Sequence, residues 1–169
     1  MGIAWVRGNF RISKGTLQSN EDRTSASSID VDIDVASVNS AEPKRDEHLR
    51  NAEFFDVERF PTIHFRSTEI SRSSAGTAIV AGQLTIRGVT RPVELSVTDI
   101  SPATKDPWGG IRFAASANAK INRKDFGLTW NKALETGGVL VADEILIDLD
   151  VEFVQAADPI VLVKGPVKS

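Results

Sequence analysis

Apolar and polar residues alternate strictly along two stretches of the chain. Ser28 to Val35 reads S-I-D-V-D-I-D-V, which places Ile29, Val31, Ile33 and Val35 on one face and Asp30, Asp32 and Asp34 on the other. A period of two is that of a β-strand with one buried face. Glu144 to Phe153 repeats the pattern, with Ile145, Ile147, Leu149, Val151 and Phe153 on the apolar side, and only Leu146 interrupts the polar side. Further β-rich runs lie at Thr62–Ile70, Thr77–Arg87, Pro92–Ile100 and Ile111–Ile121, and Val6–Phe10 continues into Ile12–Leu17. Branched and aromatic residues in runs of this length predict strands, about seven in all. Gly88 supplies the positive φ of a tight connection between the runs on either side, so those runs are expected to pair antiparallel.

One segment breaks the alternation. Glu42–Phe55 is rich in Lys, Arg, Glu and Ala, and Pro43 is tolerated in a first helical turn, which predicts the main helix there. Leu49, Ala52 and Phe55 would form its apolar side, facing inward across one end of the sheet, with the charged residues outward. A shorter turn or helix is expected over Arg123–Leu128, and Ser101–Gly110 reads as a Pro/Gly loop. After Phe153 the chain carries Pro159, Gly165 and Pro166 around the apolar patch Ile160–Val163. This suits either a docked strand or a loose tail, and the loose tail is favoured over 155–169.

Strands with one apolar face and a single helix must close on themselves or pack face to face, and a barrel fits best, so the fold class is all-β, an antiparallel up-and-down barrel with one main helix spanning residues 1–154. The face of the Ile111–Ile121 strand that carries Phe113 also carries Ala115, Ala117 and Ala119. Such small side chains either leave volume for a ligand inside the barrel or let a neighbouring element pack closely. Trp108 and Trp130 sit beside glycine or loop residues, where they would plug a barrel end.

With 169 residues, 41% of them hydrophobic and 25% charged, the chain has the makeup of one globular domain, and no run is long enough to span a bilayer. Twenty basic against twenty-three acidic residues give a net charge of −3, which lacks the footprint of a nucleic-acid binder. The absence of cysteine excludes disulfides and thiolate metal sites. Tyrosine is absent too, and the only histidines are His48 and His64, so neither a metal nor a catalytic set is singled out. Asp46 and His48, two apart on a helix, point to different sides. Asp125-Phe126-Gly127 matches a kinase triplet without the loops a kinase needs. The acidic row Asp30, Asp32 and Asp34 could bind cations, but a solvated outer face is the favoured reading. Phe54, Phe55 and Phe60 could guard a cavity mouth, and Arg45 and Arg50 could meet an anionic head group, although physics alone favours ordinary solvated basic residues on an amphipathic helix for both arginines.

Several spaced blocks resemble a known family. They are Arg45-Asp46-x-His48-Leu49, Phe54-Phe55-Asp56-Val57, Phe60-Pro61, Phe65-x-Ser67-Thr68, Leu84-Thr85-Ile86-x-Gly88-Val89-Thr90-x-Pro92-Val93, and Ile121-Asn122-Arg123-x-Asp125-Phe126-Gly127. In this order and spacing the chain resembles the YceI-like, polyisoprenoid-binding family over about residues 5 to 154. The resemblance implies a lipocalin-like barrel whose apolar channel holds an isoprenoid lipid, a polyprenyl phosphate or an isoprenoid quinone. It implies a carrier or sequestering protein linked to stress responses, with no cofactor and no shared catalytic activity. The competing readings are a lipocalin-like enzyme acting on a small apolar substrate and a purely structural interaction domain. The expected lining is Ile29, Val31, Ile33, Phe113, Ala115, Ala117, Ile147 and Leu149 with Phe54, Phe55 and Phe60, and an anion contact is assigned on charge to Arg45 or Arg123.

The resemblance departs at the start of the chain. Met1-Gly2 matches the end of a family strand and Val6-Arg7-Gly8-Asn9-Phe10 the block after it, so seven of eight strands are expected. Removing one stave would open a seam between Val6–Leu17 and Glu144–Phe153 and favour a homodimer through those edges, unless Ile160–Val163 fills the gap. As written the chain is expected in the cytoplasm; an upstream signal would make it periplasmic or secreted.

Overall fold

The computed structural model describes residues 6–18, 27–74, 76–132 and 141–155, and the backbone of 160–163 and 166–168. The alternating segments are strands β1 (Asn9–Gln18), β2 (Ser28–Asn39), β3 (Thr62–Ser74), β4 (Thr77–Ile86), β5 (Val89–Thr98), β7 (Ile111–Asn122) and β8 (Glu144–Gln155). A two-residue strand, β6 (Thr104–Lys105), lies in the expected Pro/Gly loop and pairs with the start of β7. The staves pair antiparallel in chain order from β1 through β5 to β7 and β8.

Where it is described, the tail is not loose. Its backbone forms β9 (Ile160–Val163) and β10 (Pro166–Lys168), which run antiparallel to both β8 and β1. Phe153↔Leu162 and Thr16↔Val161 hold β9, while Leu149↔Val167 and Phe10↔Val167 hold β10. Residues 160–163 and 166–168 therefore fill the seam between β1 and β8 and complete a nearly closed eight-strand barrel. Two facing strand edges with unpaired N–H and C=O groups are a template for any extended segment within reach. Met1 and Gly2 lie outside the described residues.

Local chemistry sets the turns and close contacts. Arg87 and Gly88 have φ of 49° and 73°, the two left-handed residues of a tight hairpin closed by Ile86↔Val89. At Gly82 in β4, a Cβ would come within 2.5 Å of the Phe65 ring and 2.6 Å of the Arg66 carbonyl oxygen, so glycine lets β3 and its inward phenylalanine pack against β4.

The helix α1 runs Pro43–Arg50, shorter than predicted. Glu42 caps it by accepting from the Lys44 backbone N–H at 3.1 Å. Asn51 ends it in an extended conformation, and its side chain accepts from the Glu53 N–H at 2.9 Å. Beyond it Phe55 N–H donates to the Leu49 carbonyl and Val57 N–H to the Arg50 carbonyl, each at 3.0 Å, so Phe54–Val57 fold back as turns. Ala52, expected on the apolar side, is exposed, and Asp46, expected outside, is buried. Arg123–Phe126 forms a single 3-10 turn ended by Gly127 at φ 73°.

The core has two clusters. Val35, Ile63, Phe65, Val80, Leu84, Ile86, Phe126 and Leu128 form one, and Phe10, Ile12, Val38 and Phe153 the other. Ile33, Phe55 and Ile147 pack against both and join them.

Candidate ligand-binding site

The inward rows of the barrel are apolar because the strands alternate. On β2, Ile29, Val31 and Ile33 pack against the core yet remain half-buried, and Ile147 and Leu149 on β8 do the same. On β7, Phe113 stacks on Phe153 with ring centroids 4.6 Å apart, and below it Ala115 and Ala119 are buried while Ala117 is half-buried. Ala117 stands opposite Leu149 on one side and Val97 on the other, so the alanine row faces larger side chains from both neighbours. Eight of the expected lining residues, Ile29, Val31, Ile33, Phe113, Ala115, Ala117, Ile147 and Leu149, thus share the inner face of the sheet.

The three phenylalanines after the helix do not act as one group. Phe54 is buried in an aromatic contact with His48 (5.0 Å) and Trp130 (5.2 Å), and His48 also meets Trp130 edge-on at 4.7 Å. Phe55 turns inward and meets Phe10 edge-on at 5.5 Å. Phe60 covers Gly88, where a Cβ would come within 2.9 Å of its ring, and carries the Arg59 guanidinium 5.2 Å from its centroid.

The arginines offered for an anionic head group have other partners. Arg45 donates from Nε to Ser40 Oγ at 2.7 Å and from Nη2 to the Ser40 carbonyl at 2.8 Å. Arg50 donates to the carbonyls of Ala36 (3.0 Å) and Val38 (2.9 Å), so both fasten α1 to the end of β2. Arg123 is 3% exposed and donates to the carbonyls of Leu128 (2.6 Å), Trp130 (2.8 Å) and Ala142 (2.9 Å), and to the Asp143 carboxylate at 3.3 Å. Arg123 is thus a buried clamp on several backbone carbonyls, and Arg45, which carried the other half of the head-group assignment, is tied to Ser40.

The sequence description YceI-like domain matches residues 1–153. The chain belongs to the YceI-like family. It is 42% identical over 129 residues to a UPF0312 protein of Serratia proteamaculans and 38% identical over 129 residues to one of Yersinia enterocolitica; each match covers 76% of this chain. The chain spans 66% of the length of these curated relatives. Among solved structures it resembles the Campylobacter jejuni YceI protein, with 29% identity, a TM-score of 0.75, and 92% of this chain and 88% of that one covered. Burkholderia cenocepacia BcnA, 17% identical with a TM-score of 0.65 over 96% of each chain, shares the fold.

In this YceI-like barrel several polar devices were not legible as motifs. Asp106 accepts from the N–H groups of Trp108 (2.9 Å) and Gly110 (2.8 Å) and from Arg112 Nε (2.6 Å). The Arg112 bond leads in holding its carboxyl below the ordinary value. The turn so fixed carries Trp108 outward, 86% exposed, so it plugs no barrel end, whereas Trp130 packs against His48 and Phe54. Asp143 is likewise held low, first by its hydrogen bond from Lys124. The Asp-Pro-Trp-Gly-Gly order, an aspartate ahead of glycines, was the available turn signal.

Proposed function

We propose that this YceI-like protein binds and carries an isoprenoid lipid along the axis of its barrel. One observation carries the proposal: the small-residue row of β7 stands beside half-buried inward aliphatic side chains of β8 and β5, on the same inner face as the half-buried Ile29, Val31 and Ile33 of β2. An apolar, largely preformed space with few polar groups suits a hydrocarbon chain, and a branched, repeating isoprenoid offers apolar surface along its whole length. Recognition rests on the chain and not the head group, since Arg45 and Arg123 already have partners.

The test is the double variant Ala115→Trp with Ala117→Trp, which places two indoles in the proposed space. Native mass spectrometry after incubation with polyprenyl phosphate or with an isoprenoid quinone should show a retained adduct on the parent and none on the variant. A variant that stays folded and retains the lipid as tightly as the parent would show that the lining is elsewhere. Chemical conversion of the bound lipid would instead favour an enzyme.

A further inference from the structure

We propose a site for a divalent transition-metal ion on the outer face of the barrel, formed by His64 on β3 with Asp30 and Asp32 on β2. Strand register assembles it: Asp32 and His64 are direct cross-strand partners, and Asp30 lies two residues along the same outward row, opposite Arg66. One imidazole nitrogen and one oxygen from each carboxylate lie within 4.8 Å of one another.

The two ring nitrogens have different surroundings. Nδ1 sits 2.6 Å from Asp32 Oδ1, a hydrogen bond that fixes the ring. This presents Nε2 toward Asp30 Oδ2 at 3.7 Å. That separation is too long for a hydrogen bond and close to the spacing of two ligands on one ion, since bonds of about 2.1 Å at tetrahedral angles put ligand atoms about 3.4 Å apart. An ion there takes Nε2 and Asp30 as ligands and completes its shell with water. The Asp32 contact then acts as the outer carboxylate that orients a metal-bound histidine.

Charge and access agree. The side chains of His64, Asp30 and Asp32 are 39%, 41% and 33% exposed, so water reaches the site. Among the described residues Arg66, with Nε 3.9 Å from Asp30, is the only Lys or Arg within ion-pair range of the two carboxylates. Lys14, across from Asp32 on β1, is exposed. Imidazole, carboxylate and water together suit zinc, nickel, cobalt or copper better than calcium or magnesium, which favour oxygen ligands throughout. The site faces away from the inward rows, so it stands independently of lipid binding.

The experiment uses the full chain without an affinity tag, stripped with a chelator and titrated with zinc chloride by calorimetry. One equivalent should bind. His64→Ala and His64→Gln should abolish binding, Asp32→Asn should weaken it by about tenfold to a hundredfold, and Asp30→Asn, which changes a direct ligand, should weaken it by more than Asp32→Asn does. His48→Ala, which removes the only other histidine, should leave it unchanged. Circular dichroism of each metal-free variant reports the fold. In parallel, cobalt added to the parent should perturb the His64 ring resonances ahead of those of His48. The proposal fails if the parent takes up no zinc, if the His64 or both aspartate variants bind like the parent, or if His48→Ala removes the binding.

Discussion

Arg123 carries a full positive charge into a position 3% exposed, and the surrounding backbone makes that tolerable. Carbonyls from the 128–130 and 141–142 segments meet its donors, and Asp143 supplies the countercharge. A buried guanidinium is acceptable when its hydrogen bonds are met, and here they tie the end of β7 to the start of β8. Asp46 is the corresponding anion. It accepts from both the backbone N–H and the hydroxyl of Ser40. The Ser40 hydroxyl leads in lowering its carboxyl below the ordinary value, and the Arg50 and Arg45 charges add to this. An unfolded aspartate titrates near about 3.9, and the folded one titrates lower. The stabilisation is therefore fully present above the unfolded value and is lost as pH falls through the folded one. Asp46→Asn should lower the thermal midpoint at neutral pH and flatten its decline between about pH 5 and about pH 2. Parallel curves for variant and parent would show that Asp46 has no special role in acid sensitivity.

At the scale of elements, α1 shows how far local signals reach. Glu42 and Pro43 mark its start in sequence and in structure. Its end was not legible, because Asn51 is as compatible with a helix as with a cap until the turns back to Leu49 and Arg50 compete for the backbone. Asp46 shows the same limit, since only the nearness of Ser40 makes burial of a carboxylate acceptable. Leu49 faces the second core cluster but is half-buried. Leu49→Ala should thus cost about 1–2 kcal/mol, below the about 2–5 kcal/mol of a fully buried leucine. Urea unfolding at constant m-value would measure this, and an unchanged midpoint would place the side chain in solvent.

For the whole molecule the seam matters most. β7 and β8 pair without interruption from Arg112↔Val154 to Asn122↔Glu144, whereas the stave between β8 and β1 consists of two short strands, β9 and β10. Removing residues 156–169 should leave two edges unpaired, lower the thermal midpoint and promote association, because unpaired apolar edges recruit other strands. Light scattering and thermal unfolding of the shortened chain would check this. A truncated form that is monodisperse and equally stable would show that the tail does not hold the barrel together.

Which residues share a face was legible in the sequence alone. The two-residue period places Ile29, Val31 and Ile33 with Val35, and Phe113 with the alanines, wherever the strand ends up, because side-chain direction along a strand is a local property of the backbone. The Arg87–Gly88 turn and the cap at Glu42 are local in the same sense. What a residue meets across the sheet is not local. The register that sets His64 against Asp32, the Ala142 carbonyl that engages Arg123, and the seam that takes in residues 160–163 and 166–168 all depend on segments well separated in the chain. Only the closed barrel decides them, since each contact forms between backbones that closure brings together.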